Sequence, residues 1–291
     1  MTAYLPLDGF DLDDALIRRL PRALALHHLA LVVAEDEDSV TVALADPNNQ
    51  TARQRIEAAL GPRLTVVRSD ADAIRAALTG AWSDEFARGS LVLGGSVPLR
   101  PMLSAYAQKV ILPAFPSLVV DSHLPPRLMM TAEGDGLRRE AAILKADTSV
   151  WLCLDPAREI RRIWVAIRSG SPDWQAVEWA AALAQAHGSE GVLLAANPSA
   201  PSAILSGHAA YLNPHDPRGA HVADLALILA AQGVKGRLKV REGSFAESAI
   251  AECLEVKPDL LIIGAEQAGQ QAAHILSNIG AALGALLVLK A

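Results

Sequence analysis

The sequence predicts an α/β protein: a mostly parallel five-stranded sheet with helices on both faces in its C-terminal part, preceded by a small α/β N-terminal domain. The main observation is the strict alternation of apolar, strand-like runs with helical runs from residue 160 to residue 291, which is typical of a parallel sheet covered by helices. The composition agrees, because 51% of the residues are hydrophobic and only 4% are aromatic. A chain of 291 residues is long enough for two compact domains.

The N-terminal domain is predicted at residues 1–80 and has the order helix, two strands, helix, strand, helix. Asp11 is a suitable N-cap for a first helix that carries leucines at a four-residue spacing. Two strands follow around the acidic turn Glu35–Asp38, and the second strand alternates apolar and polar residues. The next helix is stopped by Gly61 and Pro62. A strand and a capped helix complete a unit without an obvious reactive constellation.

Several residues of this domain resemble the N-terminal domain of type II secretion and type IV pilus ATPases: Leu20, Pro21, Ala25, the run Val42–Pro47 and Gly61. The resemblance implies a docking and regulatory module, and therefore a protein partner at this domain. Some members of that family bind cyclic di-GMP, but through an upstream helical repeat beginning Arg-Leu-Gly that this chain lacks. The Walker A loop, G-x-x-x-x-G-K-[ST], is also absent. We therefore expect the front domain of such an ATPase without its motor.

A second segment, residues 81–155, is predicted to be a partial α/β unit that repeats the end of the chain in reduced form. Met129 and Met130 can be laid over Ile262 and Ile263, and the strand Val150–Leu154 then lies over the final apolar strand. Self-similarity of this kind indicates an internal repeat. Alanine-rich helices align easily, so an unrelated α/β segment remains the alternative.

The third segment, residues 156–291, carries the clearest alternation of strands and helices. Four of its stretches resemble the universal stress protein family: RRIWVAIRSGS, REGSFAESAIAE, KPDLLIIGA and ALLVLK. The resemblance implies an adenine nucleotide alpha hydrolase-like fold and a non-enzymatic, regulatory role. It also implies a homodimer, because members of the family usually pair their last strand across a two-fold axis. With the second segment included, the chain resembles a tandem stress protein whose first copy is reduced.

Many members of this family bind ATP through a loop of the form G-x2-G-x9-G-[ST], whose glycines let backbone N–H groups approach phosphate oxygens at a helix N-terminus. In this chain the four positions hold Gly264, Gln267, Ser277 and Asn278, so only the first position matches. Gly269 lies two positions late and leaves a shifted loop open. The sequence near the loop also lacks the cluster of carboxylates that would indicate a Mg²⁺ site. Ordinary ATP binding is therefore not expected, and no cofactor is assigned.

The first strand of the segment departs from the family in the same way. The family ends this strand with an aspartate near the adenosine, in the run V-A-[VI]-D, whereas this chain has VAIR, which ends in Ile167 and Arg168. Arg168 is either a partner for a phosphate or carboxylate or a surface residue at the strand end. Gly243 matches the glycine after the family's third long strand. Together these positions form a degenerate nucleotide site: Ile167, Arg168, Gly243, Gly264, Gln267, Ser277 and Asn278.

The predicted function is that of a non-enzymatic regulatory or adaptor protein. One alternative is a nucleotide-binding stress sensor whose modified loop holds ATP or another adenine nucleotide. Another is a metal-dependent enzyme that uses the loop with His215, Asp216 and His221, followed by Asp224, although their spacing matches no tight ligand pattern. No catalytic or metal-ligating residue is assigned.

The net charge and the lengths of the apolar runs indicate which classes of partner and which cellular location to expect. The net charge of -6 gives no general electrostatic reason to bind nucleic acid or anionic lipid. No uninterrupted apolar run approaches the roughly 18 residues that span a bilayer, and the N-terminus lacks the features of a signal peptide. Cys153 and Cys253 are too few for a disulfide framework and are predicted to be buried thiols. We therefore expect a cytoplasmic protein without nucleic-acid binding or membrane insertion.

Overall fold

The computed structural model describes residues 2–7, 10, 12–83, 89–94, 96–132, 143–167, 171–197, 217–231, 233–264, 268–279 and 282–289. The chain divides into two compact units, Met1–Phe86 and Ala87–Ala291. The first unit contains the domain predicted at residues 1–80. The predicted segments 81–155 and 156–291 are not separate units, because the strands of both lie in one continuous sheet.

The first unit contains the strands β1 (Ala30–Glu35), β2 (Val40–Leu44) and β3 (Leu64–Arg68) and the helices α1 (Asp14–Ile17), α2 (Arg22–His28), α3 (Gln50–Leu60) and α4 (Ala71–Ser83). The strand order is β1-β2-β3, with β1 and β2 antiparallel and β2 and β3 parallel. The predicted first helix is split in two, because Pro21 stands at the N-cap of α2 and proline is poorly tolerated inside a helix. Asn49 caps α3 by accepting a hydrogen bond from the Ala52 N–H at 3.0 Å.

The second unit has a first group of four strands and a second group of five. The first group is β4 (Gly89–Leu93), β5 (Leu118–Val120), β6 (Pro126–Thr131) and β7 (Ser149–Cys153). The second group is β8 (Arg162–Ile167), β9 (Glu190–Asn197), β10 (Gly236–Glu242), β11 (Leu260–Gly264) and β12 (Ala285–Leu289). The helices with described bounds are α5 (Arg100–Tyr106), which continues as a π-helical turn over Ala107–Ile111, α6 (Ser171–His187), α7 (Pro217–Ala231), α8 (Phe245–Val256) and α9 (Ala268–Ile279).

The sheet of the second unit has nine strands in the order β10-β9-β8-β11-β12-β7-β6-β4-β5. The five predicted C-terminal strands, β8 to β12, are all present, lie side by side and are parallel to one another. The predicted α/β class and mostly parallel sheet are therefore confirmed. The sheet is larger than the five strands predicted, because β7 adds to the far side of β12 and brings β6, β4 and β5 with it.

The last strand, β12, is paired on both of its edges. It runs parallel to β11 on one side and antiparallel to β7 on the other. The homodimer predicted from the sequence needs a free edge on this strand, and that edge is occupied within the chain. The homodimer stays a prediction, and within the described chain both edges of β12 are already paired.

The centre of the sheet is buried on both faces. Every residue of β7, β11 and β12 is buried, as expected for parallel strands covered by helices on both sides. One face packs against α8 and α9, in a core that includes Leu152, Trp164 and Leu286. On the other face, the Trp179 ring of α6 packs against Phe115, with 4.2 Å between the ring centroids. One core therefore joins the two groups of strands.

The connection from β7 to β8 is held by Asp259, which directly precedes β11. The Asp259 carboxylate accepts hydrogen bonds from Arg158 Nε at 2.7 Å and from the backbone N–H groups of Arg161 and Arg162 at 3.0 and 2.9 Å. The Asp259 side chain is 9% exposed and the Arg158 side chain 24%. Gly284 lies against this pair, since a Cβ there would stand 2.6 Å from the Asp259 carbonyl oxygen. The network fixes the connection to the amino ends of β11 and β12.

Candidate functional site

The carboxyl ends of β8 and β11 form the natural ligand position of this sheet. After β8 the chain places β9 and β10 on one side and then β11 and β12 on the other, so the strand order reverses between β8 and β11. Ala166 of β8 pairs with Ile263 of β11, and the same parallel register places the next residues, Ile167 and Gly264, side by side. Both are buried. The structure therefore brings these two predicted site residues together.

Two other predicted residues follow these strand ends in the sequence. Arg168 comes directly after β8, and Gln267 directly precedes α9. Both lie outside the described residues, so their part in a site stays a prediction. The shifted loop through Gly269 places that glycine within α9, where the backbone is already helical.

Ser277 and Asn278 lie far from the carboxyl ends of the strands. Because β11 and β12 are parallel, α9 runs from the carboxyl end of β11 back to the amino end of β12. Both residues belong to its last turn, about 14 Å along the helix axis from its first residue. Their side chains donate hydrogen bonds to the His274 carbonyl at 2.9 and 2.8 Å. The structure does not bring them together with Gly264, since they stand at the opposite end of the sheet.

Gly243 follows β10, whose neighbour β9 separates it from β8, so it lies two strands, or about 10 Å, from the end of β8. Its φ of +112° lies in the left-handed region that favours glycine. A Cβ at this position would also stand 3.3 Å from Glu247 Oε2. The turn from β10 into α8 therefore accounts for this glycine without any ligand.

The N-terminus of α8 is closed by its own capping box. The Ser244 N–H donates to Glu247 Oε2 at 2.8 Å, and the Glu247 N–H donates to Ser244 Oγ at 3.3 Å. The hydrogen bond from the Ser244 backbone, with a further contribution from its side chain, lowers the pKa of Glu247 below its usual value. The Glu247 carboxylate thus occupies the N-terminus of α8, two strands away from the end of β8.

Sequence reasoning missed Gln271, in the first turns of α9 near the end of β11. Its side-chain oxygen Oε1 is buried and has no hydrogen-bond partner among the described residues. An unpaired buried acceptor costs about 1–3 kcal/mol, so a donor from outside the described residues would stabilise this oxygen. No sequence signal marks this residue, because glutamine is common in helices and only the packing buries this one oxygen.

Two known protein families match the chain, one in each of its two units. Residues 159–284 match the universal stress protein family. Residues 2–85 match the MshEN domain, so the resemblance of the N-terminal domain to the front domain of secretion ATPases is confirmed as well. No curated protein matches the chain.

Three solved structures are similar to parts of the chain. A universal stress protein from Archaeoglobus fulgidus is 12% identical over 68% of this chain and 80% of its own, with a TM-score of 0.38. A universal stress protein family protein from Arabidopsis thaliana with AMP bound is 14% identical over 45% and 91%, with a TM-score of 0.35. A structure of MshE with cdg is 18% identical over 28% of this chain and 59% of its own, with a TM-score of 0.27. The chain thus covers less than two thirds of that MshE structure.

The metal site considered for the stress-protein domain has little support in the described residues. His215 and Asp216 lie outside them, as does the side chain of Asp224. The ring of His221 contacts Trp174 edge to face, with 5.6 Å between centroids. Within the part of the chain that the structure describes, no group of three or more His, Cys, Asp or Glu side chains is arranged to hold a metal ion.

The basic strand β10 of the stress-protein domain is neutralised by acidic neighbours. Glu252 is 1% exposed and lies between two of the basic side chains. These ion pairs leave little free positive charge on the strand for a nucleic acid to bind. The pairs are Arg237 with Glu190, and Lys239 and Arg241 with both Glu252 and Glu255.

The MshEN unit carries an open polar cleft of about 430 Å³ at the carboxyl ends of its parallel strands β2 and β3. Asp46 and Arg68 give this cleft one acidic and one basic side chain, and Thr2 and Asn48 also line it. Sequence reasoning matched the run that contains Asp46 but did not single it out as a site. Among all described residues of the chain, no helix is long and apolar enough to cross a membrane.

Proposed function

We propose that the chain is a non-enzymatic regulatory or adaptor protein, in which the stress-protein domain does not bind ATP through the loop usual for its family. The family match of residues 159–284 supports the stress-protein type. The MshEN match of residues 2–85 supports a docking role for the first unit, with a protein as its partner.

The observation that carries this proposal is the point at which α9 begins. Ala268 is only four residues after Gly264, so the nine residues between the second and third glycine positions of the ATP loop, 268–276, are all helical here. Beyond the first turn, the N–H groups of an α-helix are bonded to carbonyls four residues earlier. They are not free to contact phosphate oxygens as the amides of a glycine loop are.

Electrostatics next to the site supports the same conclusion. The helix N-terminus of α8 is the other nearby group of backbone donors, and its capping box already uses the Ser244 and Glu247 amides. The ionised Glu247 carboxylate adds a negative charge beside them. A phosphate group placed at the N-terminus of α8 would therefore meet repulsion rather than attraction.

A thermal-shift series on the full chain tests the proposal, with ATP, AMP, cyclic di-GMP, Mg²⁺ and Mn²⁺ as probes. A ligand present at one hundred times its Kd stabilises a protein by about 2.7 kcal/mol, which a Tm measurement detects readily. We expect ATP to leave Tm unchanged. A rise of several degrees with ATP that is lost in Gly264→Val and kept in the neighbouring control Ile263→Val would overturn the proposal.

A second candidate function, a small-molecule sensor, is favoured by the unpaired oxygen of Gln271. A ligand that offers an N–H or O–H donor and little negative charge, such as the adenine amino group of adenosine, would satisfy this oxygen and avoid repulsion by Glu247. Adenosine is therefore the probe. This function requires adenosine to raise the Tm of the wild-type chain and to leave Gln271→Leu unaffected. An unchanged Tm in both proteins would remove this candidate and leave the adaptor role.

A further inference from the structure

The pairing of β7 with β12 is antiparallel, whereas every other described pairing in the nine-stranded sheet is parallel. The strands on one side of this junction therefore all run in one direction, and those on the other side run in the opposite direction. Two groups of strands that meet in this way are related by an approximate two-fold axis at the junction, as in an isologous contact between two subunits.

The strand order is mirrored across the same junction. Outward from it, the C-terminal half has β12, β11, β8, β9 and β10, and the N-terminal half has β7, β6, β4 and β5. In each half, the strand at the junction is the last one along the chain, and its neighbour is the next to last. Farther from the junction come the first strand of the half and then the second. The two orders agree at four successive positions, and only the outermost strand, β10, has no counterpart.

The N-terminal half has no counterpart of β10 because its connection between β5 and β6 is short. Between β9 and β10 the C-terminal half has room for α7, and between β10 and β11 it has α8. In the N-terminal half, β5 and β6 are joined by residues 121–125 alone, which are too few for a helix, a strand and a second helix. Residues 89–153, called the reduced half below, are thus the C-terminal arrangement without its third strand and the helices around it.

Helices of the two halves also meet across the junction. The helix α5 follows β4 as α6 follows β8, and the two contact each other through His187 Nε2 and the Val110 carbonyl, 2.7 Å apart. On the other face, Ile143 of the reduced half belongs to the same core as Leu286 of β12 and Ile275 of α9. The junction is therefore packed on both faces of the sheet, as a stable subunit interface would be.

We propose that the reduced half is a built-in second subunit: it occupies, within the same chain, the edge of β12 that would otherwise accept a second copy. The chain does not self-associate through β12. Because the reduced half lacks counterparts of β10 and α8, it also lacks the strand end that carries Gly243.

A native cysteine makes the junction measurable. Cys153 of β7 lies directly opposite Ala285 of β12. The Leu154 N–H donates to the Gly284 carbonyl, so the adjacent pair Cys153 and Ala285 is a non-hydrogen-bonded pair, with Cα atoms about 4.5 Å apart. That separation is within the range that a disulfide bridges.

The experiment uses the full chain with Cys253→Ala and Ala285→Cys, refolded from the reduced, denatured state in an oxidising glutathione buffer, because a buried thiol reacts poorly once the chain has folded. The product is analysed by light scattering and by mass spectrometry of tryptic peptides. We expect the Cys153 crosslink to position 285 to form within single chains, so that denatured, non-reduced protein has the mass of one chain. The matched control is Leu286→Cys in the same background. Position 286 pairs with Leu152 and faces the opposite side of the sheet from Cys153, so we expect no crosslink.

Two results would overturn the proposal. A crosslink between chains, giving a covalent dimer in the denatured protein, would show that β12 pairs with a second copy. The absence of any crosslink at position 285 in protein that remains folded by circular dichroism would show that β7 does not lie against β12. A dimer by light scattering whose crosslink is within each chain supports the proposal, because its contact then lies elsewhere.

Discussion

His28, at the end of α2, has a half-buried ring whose Nε2 is buried without a hydrogen-bond partner among the described residues. Burial, together with the nearby charges of His27 and Arg55, lowers its pKa from 6.5 to about 4. The ring is therefore neutral in the folded protein at neutral pH. Protonation would place an unpaired charge against the packed face of the first unit.

This predicts an acid sensitivity of the first unit that depends on one residue. Because the pKa is lower in the folded than in the unfolded chain, the stabilisation is complete above about pH 6.5 and is lost as the pH falls towards about 4. Allowing for partial solvent screening, we expect a loss of roughly 1–2 kcal/mol between neutral pH and pH ~4. Hydrogen exchange of peptides from α2 and α3 measures it.

The comparison that isolates His28 uses two variants. His28→Leu should keep the protection of α2 and α3 nearly constant over the same pH range. His27→Gln, a change at the exposed neighbour, should retain most of the wild-type pH dependence. Equal pH dependence in wild type and His28→Leu would contradict the assignment.

At the scale of secondary-structure elements, Asp259 and Arg158 join the β7–β8 connection to β11. Breaking a buried ion pair leaves an uncompensated charge and costs about 3–5 kcal/mol. Because Arg158 retains partial exposure, we expect Asp259→Ala to lower the free energy of unfolding by about 2–3 kcal/mol. Urea unfolding followed by circular dichroism measures this change.

The same connection supplies a matched control. Glu159 pairs with Arg161 at 2.7 Å, but their side chains are 60% and 79% exposed. Exposed ion pairs contribute little to stability, because water and salt screen the two charges, so Glu159→Ala should have a much smaller effect than Asp259→Ala. Similar losses in the two variants would mean that Asp259 does not hold the connection.

At the scale of the whole molecule, the two cysteines report whether the halves of the second unit unfold together. Cys153 belongs to β7 and Cys253 to α8, and both are free and buried. Burial raises the pKa of each thiol to about 12, so neither should react with iodoacetamide in the folded chain at neutral pH. Because one sheet and one core join the halves, we expect both to become reactive at the same urea midpoint.

Pulse labelling at increasing urea, read separately for the two cysteine peptides, checks this prediction. In the Cys253→Ala variant, the labelling of Cys153 should depend on urea concentration with the same steepness as in wild type. Only the urea midpoint should move, by the amount that the substitution changes stability. Distinct midpoints for the two cysteines in the wild-type chain would show that the reduced half unfolds on its own.

The candidate site shows which of its residues a sequence can locate. Gly264 and Ile167 can be located at strand ends from the sequence, because each is the last residue of an apolar run that forms a buried strand, whereas only the structure shows that the two strands are neighbours. Ser277 and Asn278 were placed by counting along a loop pattern, and the count failed because the segment from Ala268 is helical. Gln271 was missed, since only packing decides which polar atom is buried without a partner.

The sequence by itself determined the α/β class, the five C-terminal strands and the family that each unit resembles. The first two depend on the local periodicity of apolar residues, and the third depends on short stretches of matching residues. Only the tertiary structure decided that the sheet has nine strands and that β7 closes the edge of β12. That pairing joins segments more than a hundred residues apart, and periodicity carries no information about which strand edges meet. The same limit explains why the sequence did not indicate that this edge of β12 is occupied within the chain.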